Sequence, residues 1–207
     1  MNLNHHKMTI TTLDFLRHGE PVGGKKYRGQ TDDPLSEKGW SQMRAATAEK
    51  SPWSAIVSSP LSRCSAFAES LAADLALPMT LDSRLVEVGF GVWEGKTADQ
   101  LKQQDPDCIF NFKRDPIAHR PEGAEPLSDF HARVASAFED LSTQHFGQHV
   151  LVVAHAGVIR MAICHTLGLP PQHAYRINVG SAGMARFRLE NKDGQRFDNL
   201  MWLTKGG

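Results

Sequence analysis

Two arginines and two histidines in this chain stand where they could meet. Arg17-His18-Gly19-Glu20 follows one apolar run, Ser58-Ser59-Pro60-Leu61-Ser62-Arg63 a second, and His155-Ala156-Gly157 a third, HVLVVA. Taken singly, each has an ordinary explanation. Arg17 and His18 could be a strand-end charge pair facing water, Arg63 a surface helix arginine, and His155 a satisfied core histidine. Gathered in one crevice they would suit a compact dianion, and phosphate is the obvious candidate. A neutral imidazole among arginines is a usable nucleophile, because nearby positive charge disfavours imidazolium. His18 could attack phosphorus in line and carry the phosphoryl group as a phosphohistidine. Arg17, Arg63 and His155 would hold the equatorial oxygens and offset the charge of the transition state. The leaving alkoxide needs a proton, and Glu87 is the candidate acid, later the base toward water. Glu94, Asp82 and Glu20 are its nearby rivals. The scheme calls for no metal and no cofactor, since the cations are part of the chain.

Such a pocket requires the ends of the three runs to lie side by side. In a parallel sheet all strand C-termini share one edge, and ligands bind there at the topological switch point. The pattern of apolar runs and amphipathic segments predicts strands over 10–16, 55–57, 79–81 and 149–153. It predicts helices over 37–49, capped by Ser36, over 60–75, 127–145 and 156–167. Helices that begin just after residues 60 and 156 would add backbone N–H donors, so Ala156 joins the candidate binding residues. Residues 183–189 and 199–203 read as two strands around an Asn-Lys-Asp-Gly turn. Residues 90–126 hold glycines, prolines and aromatics with only short helical stretches, and read as an insertion over one sheet edge. The expected fold is a three-layer α/β/α domain with a mostly parallel sheet and one antiparallel strand near the C-terminus.

Composition narrows the function. A chain of 207 residues suits one domain. Lys plus Arg equals Asp plus Glu at 23 each, which argues against nucleic acid or an anionic membrane as partner. Three cysteines without CxxC spacing argue against a disulfide framework or structural zinc and fit a reducing cytoplasm. No signal peptide is expected, and no apolar stretch approaches the roughly 20 residues that span a bilayer. His5 and His6 read as a frayed tail rather than a weak metal site.

Five blocks carry a resemblance: LRHGEP (16–21), RGQTDDPLSEKG (28–39), SSPLSRC (58–64), LVEVGFGVWEG (85–95) and AHAGVIR (154–160). In this order they resemble the histidine phosphatase superfamily, which includes cofactor-dependent phosphoglycerate mutase. The resemblance implies a phosphoglycerate mutase-like fold, a phosphorylated His18, Glu87 as proton donor, and a phosphate pocket completed by Arg17, Arg63 and His155. Within the superfamily the short chain, FGVWEG and GQTDDPLSEKGW are most similar to α-ribazole-5′-phosphate phosphatases of cobalamin assembly. Fructose-bisphosphatase-like and broad-specificity members share these blocks. The implied partner is a small phosphorylated metabolite. Many relatives place a phosphate-contacting asparagine six residues after the nucleophile, where this chain has Gly24. Arg28, just before Gly29, is expected to reach the pocket rim in its place. A phosphoglycerate-type mutase and a non-catalytic phospho-ligand binder are the competing readings.

Overall fold

The computed structural model describes residues 8–49 and 52–207. The His5-His6 pair lies outside the described residues.

Six strands form one sheet in the order β3-β2-β4-β1-β5-β6. Strand β1 is Thr9–Arg17, β2 Ala55–Ser58, β3 Met79–Leu81, β4 His149–Ala154, β5 Met184–Lys192 and β6 Gln195–Leu203. The first four run parallel. The expected single antiparallel strand is in fact two: β5 pairs antiparallel with β1, and β6 with β5. They form a hairpin turned at Asp193 and Gly194, both at positive φ (55° and 79°). Asp-Gly at the two central positions of a tight turn has that preference, since its twist matches the strands it joins.

The central strands are buried on both faces, so their side chains divide by the two-residue period. Leu13, Phe15, Val57, Val150 and Val152 pack with Leu127, Phe130, Val134 and Phe138 of α5 (Leu127–Gln144) and with α6 (Ala156–Leu167). Leu16, Ile56, Leu151 and Val153 pack on the other side. Their partners are Met43 of α1 (Glu37–Ala46) and Cys64, Phe67, Ala68 and Ala72 of α2 (Ser62–Leu75). The result is the expected three layers.

Two helix boundaries differ from expectation. Helix α1 ends at Ala46 rather than near 49, and the Thr47 hydroxyl donates back to the Met43 carbonyl at 3.0 Å. Such a back-bond competes with continuing the helix. Helix α2 begins at Ser62, two residues after Pro60, and Asp32 caps it by accepting from the Ser62 amide at 2.7 Å and its hydroxyl at 2.8 Å. Between β3 and α5 lie two short helices, α3 (Ala98–Gln104) and α4 (Cys108–Arg114). They close a small apolar cluster of their own, Trp93, Leu101, Ile109 and Phe112, against which Tyr27, Phe90 and Tyr175 pack.

Candidate active site

Strand register brings the histidines together. Strand β4 lies between β1 and β2, with Arg17 opposite Ala154 and Ser58 opposite Val153. The next residue along each strand is therefore His18, His155 and Ser59. The His18 amide donates to the Ala154 carbonyl at 3.0 Å, and the Ser59 amide to the Val153 carbonyl at 2.9 Å. The rings of His18 and His155 meet edge to face with centroids 5.2 Å apart.

The Nδ1 of His18 lies 2.7 Å from the Gly19 carbonyl oxygen, which can only accept. The proton of the neutral ring is thereby held on Nδ1, and the lone pair is on Nε2. Burial, then the charges of Arg17 and Arg63, hold His18 well below the usual histidine range. Burial, Arg63 and His18 do the same to His155. Both rings are neutral at physiological pH.

Arg17 and Arg63 line a cavity of about 570 Å³ together with His18, Arg28, Gly29, Glu87, Ala156 and Arg160. Each arginine is anchored by its terminal nitrogens. Arg17 Nη1 donates to the Val179 carbonyl at 2.7 Å, and Arg63 donates to the carbonyls of Thr31 (2.7 Å) and Gly29 (2.8 Å). The Nε of each is buried without a partner among the described residues. Among the described residues neither is paired with a carboxylate, whereas six arginines elsewhere or at the rim, Arg28, Arg84, Arg133, Arg186, Arg188 and Arg196, are. Burial and the neighbouring Arg160 pull Arg17 down to about 10, so it stays charged at neutral pH. Buried, unpaired guanidinium groups with spare donors are what an anion site needs.

Glu87 reaches this cavity from the segment after β3. Its Oε2 accepts from the Gly157 amide in the first turn of α6 at 3.2 Å, and its Oε1 from the Val88 amide at 3.0 Å. A Cβ on residue 157 would lie 2.2 Å from Glu87 Oε1, so the glycine admits the carboxylate. The rival acids have other partners, although Glu20 and its partner Lys38 line the same cavity. Asp82 pairs with Arg84, and Glu20 pairs with Lys38. Glu94 straps the 28–31 loop: it accepts from the amides of Gln30 (3.1 Å) and Phe90 (3.0 Å) and from the Thr31 hydroxyl (3.1 Å). Gly29, at φ 53°, lets the strap close, because a Cβ there would meet Glu94 Oε1 at 2.2 Å. Its carbonyl in turn holds Arg63.

Arg28 does reach the cavity, yet most of its fork is turned into the protein. Its Nε donates to Asp33 at 2.8 Å, and Nη2 to the carbonyls of Val22 (2.7 Å) and Gly24 (2.6 Å). It pins the turn that carries Gly24, and Nη1 alone is without a partner among the described residues.

Sequence reasoning assigned no role to Arg160 or Ser59. Arg160 stands four residues after Ala156 on α6, a spacing that places both on one helix face, and that signal was readable. It lines both the main cavity and a neighbouring one of about 430 Å³, which also takes in Tyr27, Phe90, Phe112, Lys113, Tyr175, Arg176 and Asn178. Ser59 and Ser58 are adjacent and alike in sequence; only the fold separates a hydroxyl 2.8 Å from His155 Nε2 from one bonded to the chain's own carbonyl.

Known proteins resemble this chain over most of its length. A putative phosphoserine phosphatase 2 of Hydrogenobacter thermophilus is 28% identical over 197 residues, covering 93% of this chain and 95% of that protein. A bifunctional protein of Mycobacterium tuberculosis is 34% identical over 182 residues, covering 86% of this chain but only 50% of that protein. The solved α-ribazole phosphatase of Shigella flexneri superposes with a TM-score of 0.77 at 25% identity, covering 93% of this chain and 96% of that one. The sequence pattern of histidine phosphatase superfamily branch 1 matches residues 13–200, and the chain belongs to that superfamily.

Proposed function

We propose that this protein is a phosphomonoester hydrolase that works through a phosphohistidine at His18. The observation that carries the reading is the bond from His18 Nδ1 to the Gly19 carbonyl, which leaves the Nε2 lone pair available beside Arg17 and Arg63. In the first step Nε2 forms a bond to phosphorus while the ester P–O bond breaks, and Glu87 gives its proton to the leaving oxygen. In the second step Glu87 takes a proton from water as its oxygen bonds to phosphorus. The P–N bond then breaks, and its electrons return to His18. Arg17, Arg63 and His155 hold the phosphoryl oxygens throughout, and Arg28, Gly29 and Ala156 complete the wall. The guanidinium groups supply the charge that a metal ion supplies elsewhere, so the reaction proceeds without one.

Residues 90–126 form a cap on the single domain and select the organic half of the ester. The 430 Å³ side cavity, walled by Tyr27, Phe90, Phe112 and Tyr175 with Arg160 and Lys113, is where that half fits. α-Ribazole 5′-phosphate, from cobalamin biosynthesis, is the substrate favoured by the resemblance and by the solved relative. Cys64, Cys108 and Cys164 are free thiols, which suits a reducing cytoplasm.

The test is phosphate release from p-nitrophenyl phosphate and from a panel that includes α-ribazole 5′-phosphate and phosphoserine, with and without EDTA. Wild type should release inorganic phosphate in both conditions, and His18→Ala should release none. Transfer to an organic acceptor without free phosphate would favour a mutase. Binding without turnover would favour a non-catalytic module.

A further inference from the structure

We infer that Ser59 is a positioning residue: its hydroxyl sets the tautomer of His155 and so makes that ring a hydrogen-bond donor to the phosphoryl group. The inference rests on the phosphatase reading. Ser59 is fully buried at the end of β2, where its amide is tied to β4. Its Oγ lies 2.8 Å from His155 Nε2. The Leu61 amide, which can only donate, points at the same Oγ at 3.4 Å. The oxygen receives that N–H on one lone pair, which leaves its proton and a second lone pair for His155.

A neutral imidazole carries one proton, and the bond made by one nitrogen decides which form is present. If the Ser59 hydroxyl donates to Nε2, the ring proton is on Nδ1 and can be donated to a phosphoryl oxygen. If Nε2 donates to Ser59, Nδ1 shows a lone pair to an anion that has only lone pairs to offer. On the phosphatase reading His155 meets the phosphoryl group through Nδ1, the nitrogen that Ser59 leaves free, and the anion selects the first arrangement. Among the described residues the one competing partner is Cys64, whose Sγ lies 3.6 Å from Nε2 and 3.9 Å from Nδ1. It cannot set the tautomer. Burial pushes its thiol up, so it keeps its proton, which it gives to the Ala154 carbonyl at 3.3 Å. What remains is sulfur as a weak acceptor. Without Ser59 nothing strong distinguishes the two nitrogens, and the ring would populate both forms.

Nitrogen NMR of histidine-labelled enzyme, with vanadate bound as the probe, reads the tautomer directly. Wild type should show His155 protonated at Nδ1. Ser59→Ala should show a mixture and lose about 10- to 100-fold in kcat for p-nitrophenyl phosphate, less than removal of a direct donor to the transition state. Ser59→Thr, which keeps the hydroxyl, should recover most of the rate. A wild-type ring protonated at Nε2 overturns the inference whether or not the alanine variant folds. So does an alanine variant with unchanged tautomer and rate. Failure of the phosphatase reading looks different: wild type itself would not turn over p-nitrophenyl phosphate.

Discussion

Gly157→Ala displaces the proposed acid without altering any group that reacts. The new methyl carbon would stand 2.2 Å from Glu87 Oε1 and 3.1 Å from the Phe130 ring, where ordinary contact begins at 3.4 Å. The ring has to give a few tenths of an ångström. The carboxylate oxygen has to retreat by about 1.2 Å. It is the far end of a flexible side chain, so the chain still folds and the acid moves instead. A misplacement of about 1 Å costs on the order of 100-fold, or about 2.7 kcal/mol of transition-state stabilisation. The loss should depend on the leaving group. An alkyl phosphate expels a strongly basic alkoxide and needs the proton, so its kcat/KM, which reports only formation of the phosphohistidine, should fall about 100-fold. p-Nitrophenolate leaves readily as the anion, so hydrolysis of its phosphate should fall far less. The assay is phosphate release from glycerol 3-phosphate and p-nitrophenyl phosphate, with thermal melts to verify folding. Equal losses in kcat/KM on both esters, or none on either, would refute the assignment of Glu87 as acid and of Gly157 as the residue that admits it.

Arg28→Ala should raise KM for phosphate esters several-fold, through the lost Nη1 and through release of the turn pinned at Val22 and Gly24; unchanged steady-state kinetics would sink that role. Because burial and two arginines hold His18 well below 6.5, the nucleophile stays neutral as pH falls. The acid limb of kcat/KM should therefore lie well below that value; a limb at 6.5 assigned to His18 by its loss of labelling would contradict the electrostatics. Asp14, fully buried, accepts from Trp53 and Arg186 and pairs with His149. Although burial opposes it, these bonds hold its carboxyl below 3.8. The unfolded chain thus binds the proton more readily, and the stability Asp14 contributes is present above its unfolded value and lost as pH falls through the folded one. Asp14→Ala should cost about 3–5 kcal/mol at neutral pH in urea denaturation, with a smaller difference from wild type in acid.

How much of this was legible in the sequence depended on how local the signal was. Strand β4 reads directly from HVLVVA, and the parallel order follows from strands alternating with helices. The end of α1 does not, because a threonine back-bond stops it within an otherwise helical pattern. The second antiparallel strand is half-exposed, so its alternation is weak along 195–198. Arg17, His18 and His155 were readable as strand-end residues of chemical character, and the register then places them side by side, while Arg63 reaches the same cavity from the first turn of α2. Glu87 was preferred to Glu94 for its place after the third strand, and the resemblance favoured it too; in the structure the difference is contact with the first turn of α6 against service as a loop strap. The expectation for Arg28 fitted its position but not its orientation, which depends on the carbonyls of a glycine turn that no side-chain pattern reports. Ser59 was hidden beside Ser58 for the same reason: strand pleat, not residue type, decides which hydroxyl meets the histidine.

The central claim is that His18 carries the phosphoryl group. Rapid mixing with a phosphorus-labelled ester, an alkaline quench and peptide mapping kept above neutral pH measure this directly. Acid-labile, base-stable label should appear on the peptide containing His18, as fast as the first turnover, and be absent from His18→Ala. Label on another residue, or turnover that survives His18→Ala, would contradict it.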